Sequence, residues 1–403
     1  MDDAAQLYRR RVAGGVMNQF AVKGWCPGAL RPMRSGDGLV VRIRPYGGRL
    51  SCAQAIGIAD LADRFSNGLI DVTNRANLQI RGVSDEGHAL LIAELARLDL
   101  IDSDPDAEAL RNIVVAPFWV AGDDTASLVT ELALALGARR CLLPVKFGFA
   151  VDCGITRALA DISADIRIER DAIGGLLVRA DGAEHGRSVV RSDAVMAALA
   201  LADWFIASGG ATNGRGRMAG HLAAGARSPD VLAGLTVPAP MMPRPRPGLQ
   251  AGGALIGLAF GQLKAATLRV LAKEADGLRL TPWRMVFVEG RRDMPQGDGL
   301  VTNADDPILR VVACSGAPSC KEAHAETRAL AAELAPRIAS DAKLHVSGCA
   351  KGCAHPGPAP LTLVATAHGF DLVRDGCARD VPAVRGLGRD QILADPSLLR
   401  RIG

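Results

Sequence analysis

Gly348-Cys-Ala-Lys-Gly-Cys353, with Cys314-Ser-Gly-Ala-Pro-Ser-Cys320 upstream, is the stretch from which the rest of the chain can be read. The four cysteines run C-x5-C, a gap of 28 residues, then C-x3-C. Thiolates gathered this way hold soft metals, and four is the ligand count of an iron–sulfur cluster or a structural zinc. Zinc knuckles usually separate paired cysteines by about two to four residues, and the first pair exceeds this. The two common ferredoxin spacings are absent as well. Ile308-Leu-Arg-Val-Val-Ala313 is a short apolar, β-branched run that delivers Cys314 into a loop. Leu344 and Val346 alternate in a second strand that opens into the Gly348–Cys353 loop. Gly348 and Gly352 let backbone amides approach a cluster, and Pro356, Pro358 and Pro360 stiffen the exit. Ser319 and Glu322 have capping-box spacing around Cys320, which predicts a helix from there to Pro336 whose dipole favours the thiolate. Four buried structural thiols are the competing reading; the matched strand-to-loop contexts favour ligands.

Composition bounds the rest. A chain of 403 residues, 49% hydrophobic and 22% charged, is expected to fold as two or three soluble globular domains. A net charge of +4 gives no sign of a bulk nucleic-acid binder. Nine cysteines in a long chain with no signal core predict free thiols in a reducing cytoplasm rather than a disulfide framework. No apolar run reaches membrane-spanning length, so no membrane partner is expected. The spacing G-x-G-x-x-G and the P-loop Gly-Lys-Ser/Thr are both missing, which leaves electrons to arrive from outside the chain.

The chain also resembles itself. Leu69-Ile-Asp-Val-Thr-Asn-Arg-Ala-Asn-Leu-Gln-Ile-Arg-Gly82 is similar to Leu278-Arg-Leu-Thr-Pro-Trp-Arg-Met-Val-Phe-Val-Glu-Gly290. Each copy follows a helical stretch, roughly 53–65 and 264–275, and each helix is preceded by Gly-x-Leu, at 48–50 and 261–263. Downstream, Arg111-Asn-Ile-Val-Val-Ala-Pro117 aligns with Arg310-Val-Val-Ala-Cys-Ser, which sets Ala116-Pro117 in the place of Ala313-Cys314. Only the second copy therefore carries the cysteines. The Pro-rich stretch 238–249 reads as a stiff linker between the copies.

The cysteine pattern, the doubled halves and Thr73-Asn-Arg-Ala-Asn-Leu-Gln79 together resemble the sulfite and nitrite reductase family, from about residue 24 to about residue 375. That resemblance implies an α+β fold of α/β units with pseudo-twofold, three-domain architecture. Ferredoxin-like half-domains at 20–84 and 250–292 would pair into one domain. Two larger α/β domains would follow at 105–237, without a cluster, and at 305–403, with a [4Fe-4S] cluster on Cys314, Cys320, Cys349 and Cys353. Trp25-Cys-Pro-Gly-Ala-Leu-Arg-Pro-Met33, Ser35-Gly-Asp-Gly-Leu-Val-Val-Arg-Ile-Arg-Pro45 and Gly348-Cys-Ala-Lys-Gly-Cys-Ala-His-Pro356 look like the family's cobalamin-pathway branch. For that branch the implied activity is oxygen-dependent hydroxylation of precorrin-3A with γ-lactone formation. The implied partners are dioxygen and NADH or an electron-donor protein, and an additional non-haem iron is implied. The alternative is a sirohaem-dependent sulfite or nitrite reductase.

The resemblance carries over residue by residue. Arg75, Arg111 and Lys146 match basic residues that hold the reductases' anion, while the second lysine of that set is replaced by Gly148. A small dianion needs dense positive charge, so Gly148 tells against sulfite. Ala350 and Lys351 likewise replace the reductases' Pro-Asn between the last two cysteines. Cys353 matches the cysteine that bridges cluster and sirohaem. The residues themselves suit a carboxylate-rich tetrapyrrole, because forked guanidinium groups recognise carboxylates well. Arg31, Arg34, Arg42, Arg44 and Arg49 crowd one stretch against Asp37, and strand alternation puts Arg42 and Arg44 on one face. A solvated arginine face competes with that reading. The Gly-rich Ser208–Arg217 loop could close over carboxylates or be a plain loop. His355 and Lys351 are candidates for a second iron or the active site, with His345 and His324 nearby; no His-x-Asp/Glu signature marks a facial triad. Cys26, Cys52, Cys141, Cys153 and Cys377 read as ordinary buried thiols.

Overall fold

The computed structural model of the protein describes residues 27–139 and 143–399. Trp25, Cys26, Cys141 and the outer ends of the expected domains, residues 20–26 and 400–403, lie outside the described residues. The chain divides into two compact units, Trp25–Leu309 and a second that runs from Arg310.

The first half runs β1 (Met33–Arg34), β2 (Leu39–Ile43), β3 (Arg49–Leu50), α1 (Cys52–Phe65), β4 (Leu69–Val72), β5 (Leu78–Val83), α2 (Asp85–Arg97) and α3 (Pro105–Leu110). An α/β segment follows: β6 (Ile113–Val115), α4 (Asp124–Ala138), β7 (Phe149–Asp152), β8 (Ile166–Arg170), β9 (Leu176–Ala180), β10 (Arg187–Val189), α5 (Ala194–Ala207), α6 (Met218–Ala223) and α7 (Asp230–Ala233). The second half comprises β11 (Gly248–Gln250), β12 (Gly253–Leu258), β13 (Gln262–Lys264), α8 (Ala265–Ala272), β14 (Gly277–Leu280), β15 (Met285–Glu289) and β16 (Leu300–Val301). The second unit holds β17 (Val311–Ala313), α9 (Arg328–Leu334), β18 (Leu344–Ser347), β19 (Ala359–Thr366), β20 (Gly369–Gly376), β21 (Val384–Leu387) and α10 (Arg389–Ala394).

The two halves exchange strands. Among the described residues one sheet has the order β1-β2-β5-β4-β13 and its counterpart β11-β12-β15-β14-β3. β3 thus crosses to β14, with Leu50 opposite Leu278, and β13 crosses to β4, with Leu263 opposite Ile70. This is what the Gly-x-Leu signature encodes. The turn before each exchanged strand needs two left-handed residues, Gly47 and Gly48 in one and Phe260 and Gly261 in the other. Leu50 and Leu263 are 0% and 3% exposed, and burying each stabilises the exchange by about 2 kcal/mol. Helix α1 starts at Ser51, whose hydroxyl accepts from the Gln54 amide while the Gln54 side chain accepts from the Ser51 amide. Its apolar stripe, Ala55, Ile58, Ala59 and Ala62, is buried as α1 packs on α8.

The ladder registers correct the internal alignment by one residue. Val72 pairs Leu78 and Leu280 pairs Val286, so Ile70 rather than Leu69 corresponds to Leu278. On this register Asp71 and Arg81 take the places of Arg279 and Glu289. Both couples form ion pairs, with the sign reversed.

The two α/β sheets share one topology. β6, β7 and β8 are parallel, with β9 and β10 antiparallel beyond; β17, β18 and β19 are parallel, with β20 and β21 antiparallel beyond. Here too the alignment shifts. The Ala116 amide donates to the Val151 carbonyl as the Cys314 amide donates to the Val346 carbonyl. Ala116, not Pro117, therefore stands where Cys314 does. The expected helix from Cys320 to Pro336 is shorter than its spacing suggested, because α9 begins only at Arg328. Residues 317–325 form a loop whose amides reach elsewhere: Ala317 donates to the Ala325 carbonyl and His324 to the Gly348 carbonyl. No helix dipole acts on Cys320. The Pro-rich stretch lies along the first α/β sheet, where the Arg157 amide donates to the Pro240 carbonyl and the Met242 amide to the Arg157 carbonyl.

Candidate functional site

In the second unit, strand register brings the two cysteine loops together. β17 and β18 are parallel neighbours, so Cys314 and the Gly348–Cys353 loop leave the sheet at the same end. Gly348 stitches them: its amide donates to Cys314 Sγ at 3.2 Å and its carbonyl accepts from the His324 amide at 2.9 Å. A Cβ at this position would lie 2.7 Å from the Ala323 Cβ and 3.4 Å from Cys314 Sγ, so only glycine fits. Gly352, at φ +65°, turns the chain between Lys351 and Cys353. The Thr327 hydroxyl donates to the Cys314 carbonyl at 2.7 Å, and Ser347 Oγ to the Cys349 carbonyl at 2.7 Å.

The last two thiols are held up in pKa. Burial raises the pKa of Cys349, and the thiols of Cys320 and Cys314 add to it. Cys353 is the most open of the four by surface, yet the protein atoms around its sulfur push it up, and Cys314, Cys349 and Cys320 push the same way. Lys351 pulls both back down. Such thiols are protonated without a metal and release their protons on binding one. Among the described residues no three Cys, His, Asp or Glu side chains close on one point, as a single ion would need. A four-iron cluster asks for something different, because each thiolate ligates its own iron and stands apart from the others. The donor set and the glycine cradle fit that group.

His345 is buried at the foot of the loop, with its ring 5.9 Å from that of His355 at a near-perpendicular angle. His355 Nε2 bonds the Pro358 carbonyl at 3.1 Å. The two histidines are brought together, but among the described residues no carboxylate joins them in a metal-binding group. His324 is exposed and serves through its backbone.

In the first unit, the expected basic residues divide in two. Arg75 and Lys146 meet at the surface: Arg75 donates through Nη2 to the Lys146 carbonyl at 3.3 Å, and Lys146 is exposed. Arg75 lies in the β4–β5 turn, where the Thr73 hydroxyl accepts from the Arg75 and Asn77 amides. Arg111 and Arg44 are buried and engaged. Arg111 Nε and Nη2 donate to both oxygens of Asp102, at 2.8 and 2.7 Å. Arg44 donates to Glu108, which also accepts from the Ala29 and Leu30 amides. Arg44 therefore ties α3 to the chain's first described turn, a structural duty that strand alternation did not reveal. Arg42 faces Gln79 across the β2–β5 ladder. Of the rest of the arginine-rich stretch, Arg34 pairs Asp85 and Arg49 pairs Glu289, while Asp37 is held by Arg81. In the Gly-rich loop Arg217 is bonded to the fully buried Asp165.

Gly148 has no room for a side chain. A Cβ there would sit 2.6 Å from Asn112 Nδ2, so the missing second lysine is excluded by packing as well as by sequence. Arg44, Tyr46, Asn77, Arg111, Ile113 and Val115 line a cleft beside these residues. Tyr46, Asp102 and Glu108 were not foreseen, since their partners lie elsewhere in the chain and no motif marks them. Of the remaining cysteines, Cys153 is buried, while Cys52 and Cys377 are only partly so. Among the described residues no helix is long and apolar enough to cross a membrane.

The family model of the nitrite/sulfite reductase ferredoxin-like half domain matches residues 31–98. The chain is 31% identical over 404 aligned positions to a precorrin-3B synthase from Sinorhizobium sp., covering 90% of this chain and 84% of that one. The solved structure of the Mycobacterium tuberculosis NirA protein matches with a TM-score of 0.64 at 17% identity, over 88% of this chain and 79% of that chain. At that identity the likeness is one of fold, and it agrees with the expected duplicated α+β architecture.

Proposed function

The chain belongs to the precorrin-3B synthase family of oxidoreductases, and on that premise we propose that it hydroxylates precorrin-3A and closes one side-chain acetate into a γ-lactone. The product, precorrin-3B, serves aerobic cobalamin biosynthesis. The observation that carries this reading is 31% identity through 90% of the chain, a span too long to omit either the repeat or the cysteine loops. The reaction places one atom of dioxygen in the substrate and the other in water, and so consumes two electrons and two protons. NADH or an electron-donor protein supplies the electrons.

Cys314, Cys320, Cys349 and Cys353 would hold the [4Fe-4S] cluster, which supplies one-electron transfer when bound. Gly348 keeps the two cysteine loops in register for it, and Lys351 places a positive charge beside the last two thiolates. Arg75 and Lys146 offer cationic groups at the protein surface to the acetate and propionate carboxylates of the macrocycle. Arg111 offers a guanidinium inside the cleft. Asn112 closes the position where a second lysine would gather charge for sulfite, which supports a tetrapyrrole over an inorganic anion.

The test is anaerobic reconstitution of the cluster, then incubation with precorrin-3A, reductant and dioxygen, with mass spectrometry for a gain of one oxygen. No gain by a protein with full iron and sulfide content would overturn the assignment. Sulfite reduction with bound sirohaem would put the reductase reading in its place. Arg75→Ala should weaken substrate affinity about tenfold while the cluster spectrum stays intact. Loss of the cluster in that variant would contradict the role given to Arg75.

A further inference from the structure

Arg111 is held on two sides. Asp102 takes its Nε and Nη2 as a fork, and the Tyr46 ring lies over the guanidinium with the Cζ atom 3.9 Å from the ring centre. The Tyr46 hydroxyl donates to Asp102 Oδ1 at 3.1 Å, which closes the three residues into a ring of contacts. The side chains of Arg111 and Asp102 are each 8% exposed. The other guanidinium of the cleft, Arg44, is paired with Glu108. Two arginines and two carboxylates therefore cancel formally around a cleft whose other wall is Ile113 and Val115.

That balance decides what the cleft can take. A small dianion must shed its hydration, and it recovers that loss only from uncompensated positive charge. A carboxylate carried on an apolar ring has a second source of affinity, because the ring covers Ile113 and Val115 while the oxygens meet the free edge of an oriented guanidinium. We propose that Asp102 and Tyr46 are positioning residues that keep Arg111 charge-compensated, so that the cleft accepts one peripheral carboxylate of the tetrapyrrole and turns away small inorganic oxyanions. This rests on the reading of Arg111 as a substrate contact.

The test uses the full chain with its cluster reconstituted, a fluorescent porphyrin bearing peripheral carboxylates as probe, and sulfite as competitor. Asp102→Asn should lower the sulfite concentration needed to displace the porphyrin by at least about tenfold. An unchanged sulfite requirement in a folded Asp102→Asn protein overturns the proposal. Tyr46→Phe keeps the ring over Arg111 and removes only the hydroxyl, so it should lower the same requirement about threefold. Should Asp102→Asn fail to fold, Tyr46→Phe decides alone, and no change there sinks the idea. Adding Arg111→Ala to Asp102→Asn should restore the wild-type sulfite requirement; persistence of the lowered value overturns the proposal. Arg111→Ala alone with unaltered porphyrin affinity would instead defeat the substrate reading, and the sulfite response of Asp102→Asn would still judge the charge balance.

Discussion

The sheets β6–β10 and β17–β21 repeat one strand order and one pattern of parallel and antiparallel pairing, yet they put different chemistry at the ends of their first two strands. After β17 and β18 stand Cys314 and Gly348-Cys349. At the matching register after β6 and β7 stand Ala116 and Cys153-Gly154, with Asp152 where the other sheet has Ser347. The first pair of loops is open and sulfur-rich. The second is sealed: Asp152 is 3% exposed, its Oδ2 accepts from the Leu159 amide, and burial pushes the Cys153 thiol up to about 12. A single backbone plan thus supports an open, sulfur-rich pair of loops or a closed core, and a few side chains at two strand ends select between them.

The cysteine loops offer the largest effect. Cys349→Ser should abolish bound iron and acid-labile sulfide, whereas Cys153→Ser, one register position from its counterpart in the sealed copy, should leave both unchanged. Equal loss in the two variants would break the distinction between the sheets. Next come the ion pairs of reversed sign in the two half-domains. Glu289 holds both Arg49 and Arg279, and Arg81 holds both Asp37 and Asp71. Removing such a centre strands two like charges, so Glu289→Ala and Arg81→Ala should each cost about 3 kcal/mol in denaturant unfolding. A large effect in only one would mean that the halves are less equivalent than their registers suggest.

Gly148→Lys restores the reductases' lysine beside Asn112, and the overpacking should cost about 2 kcal/mol. It should also give no sulfite-reducing activity. A stable, sulfite-reducing variant would erase the difference between this chain and the reductases it resembles in fold. The last comparison is one of pH, at Asp152, whose carboxyl burial raises from 3.8 to about 6. The folded state then binds this proton more tightly than the unfolded chain does. The resulting contribution is fully present below about pH 4 and is lost as pH rises through 6. Asp152→Asn should therefore be more stable than the wild type by up to about 3 kcal/mol at pH 7, with the difference shrinking towards pH 4. Thermal unfolding across that range would show it, and a constant difference would remove the special burial claimed for the sealed loop.

Much of this was legible from residues alone. The strands that lead into the cysteine loops, the doubled halves and the Gly-x-Leu signals all correspond to real elements, because each rests on local rules of strand and turn. What escaped was whatever depends on partners far along the chain. Gly-x-Leu marks a strand at 49–50 but not the sheet that receives it. Ser319 and Glu322 have the spacing of a helix start, yet the His324 amide finds its acceptor at Gly348. Arg44 and Arg111 look like free cations until Glu108 and Asp102 are placed beside them. Apolar alternation is also indifferent to a one-residue slip, which is why the sequence alone sets Pro117 rather than Ala116 in the place of Cys314.

The strand exchange has a consequence for how the protein is made. β4 finds its neighbour β13 nearly two hundred residues later in the chain, as Ile70 meets Leu263. While the chain emerges from the ribosome, the first half-domain must wait with one sheet border uncovered, long after its own segments have been synthesised. A product truncated in the Pro-rich stretch would carry that raw border permanently, and with it a surface that invites pairing between molecules. The two half-domains are not separable parts: each is finished only by the other.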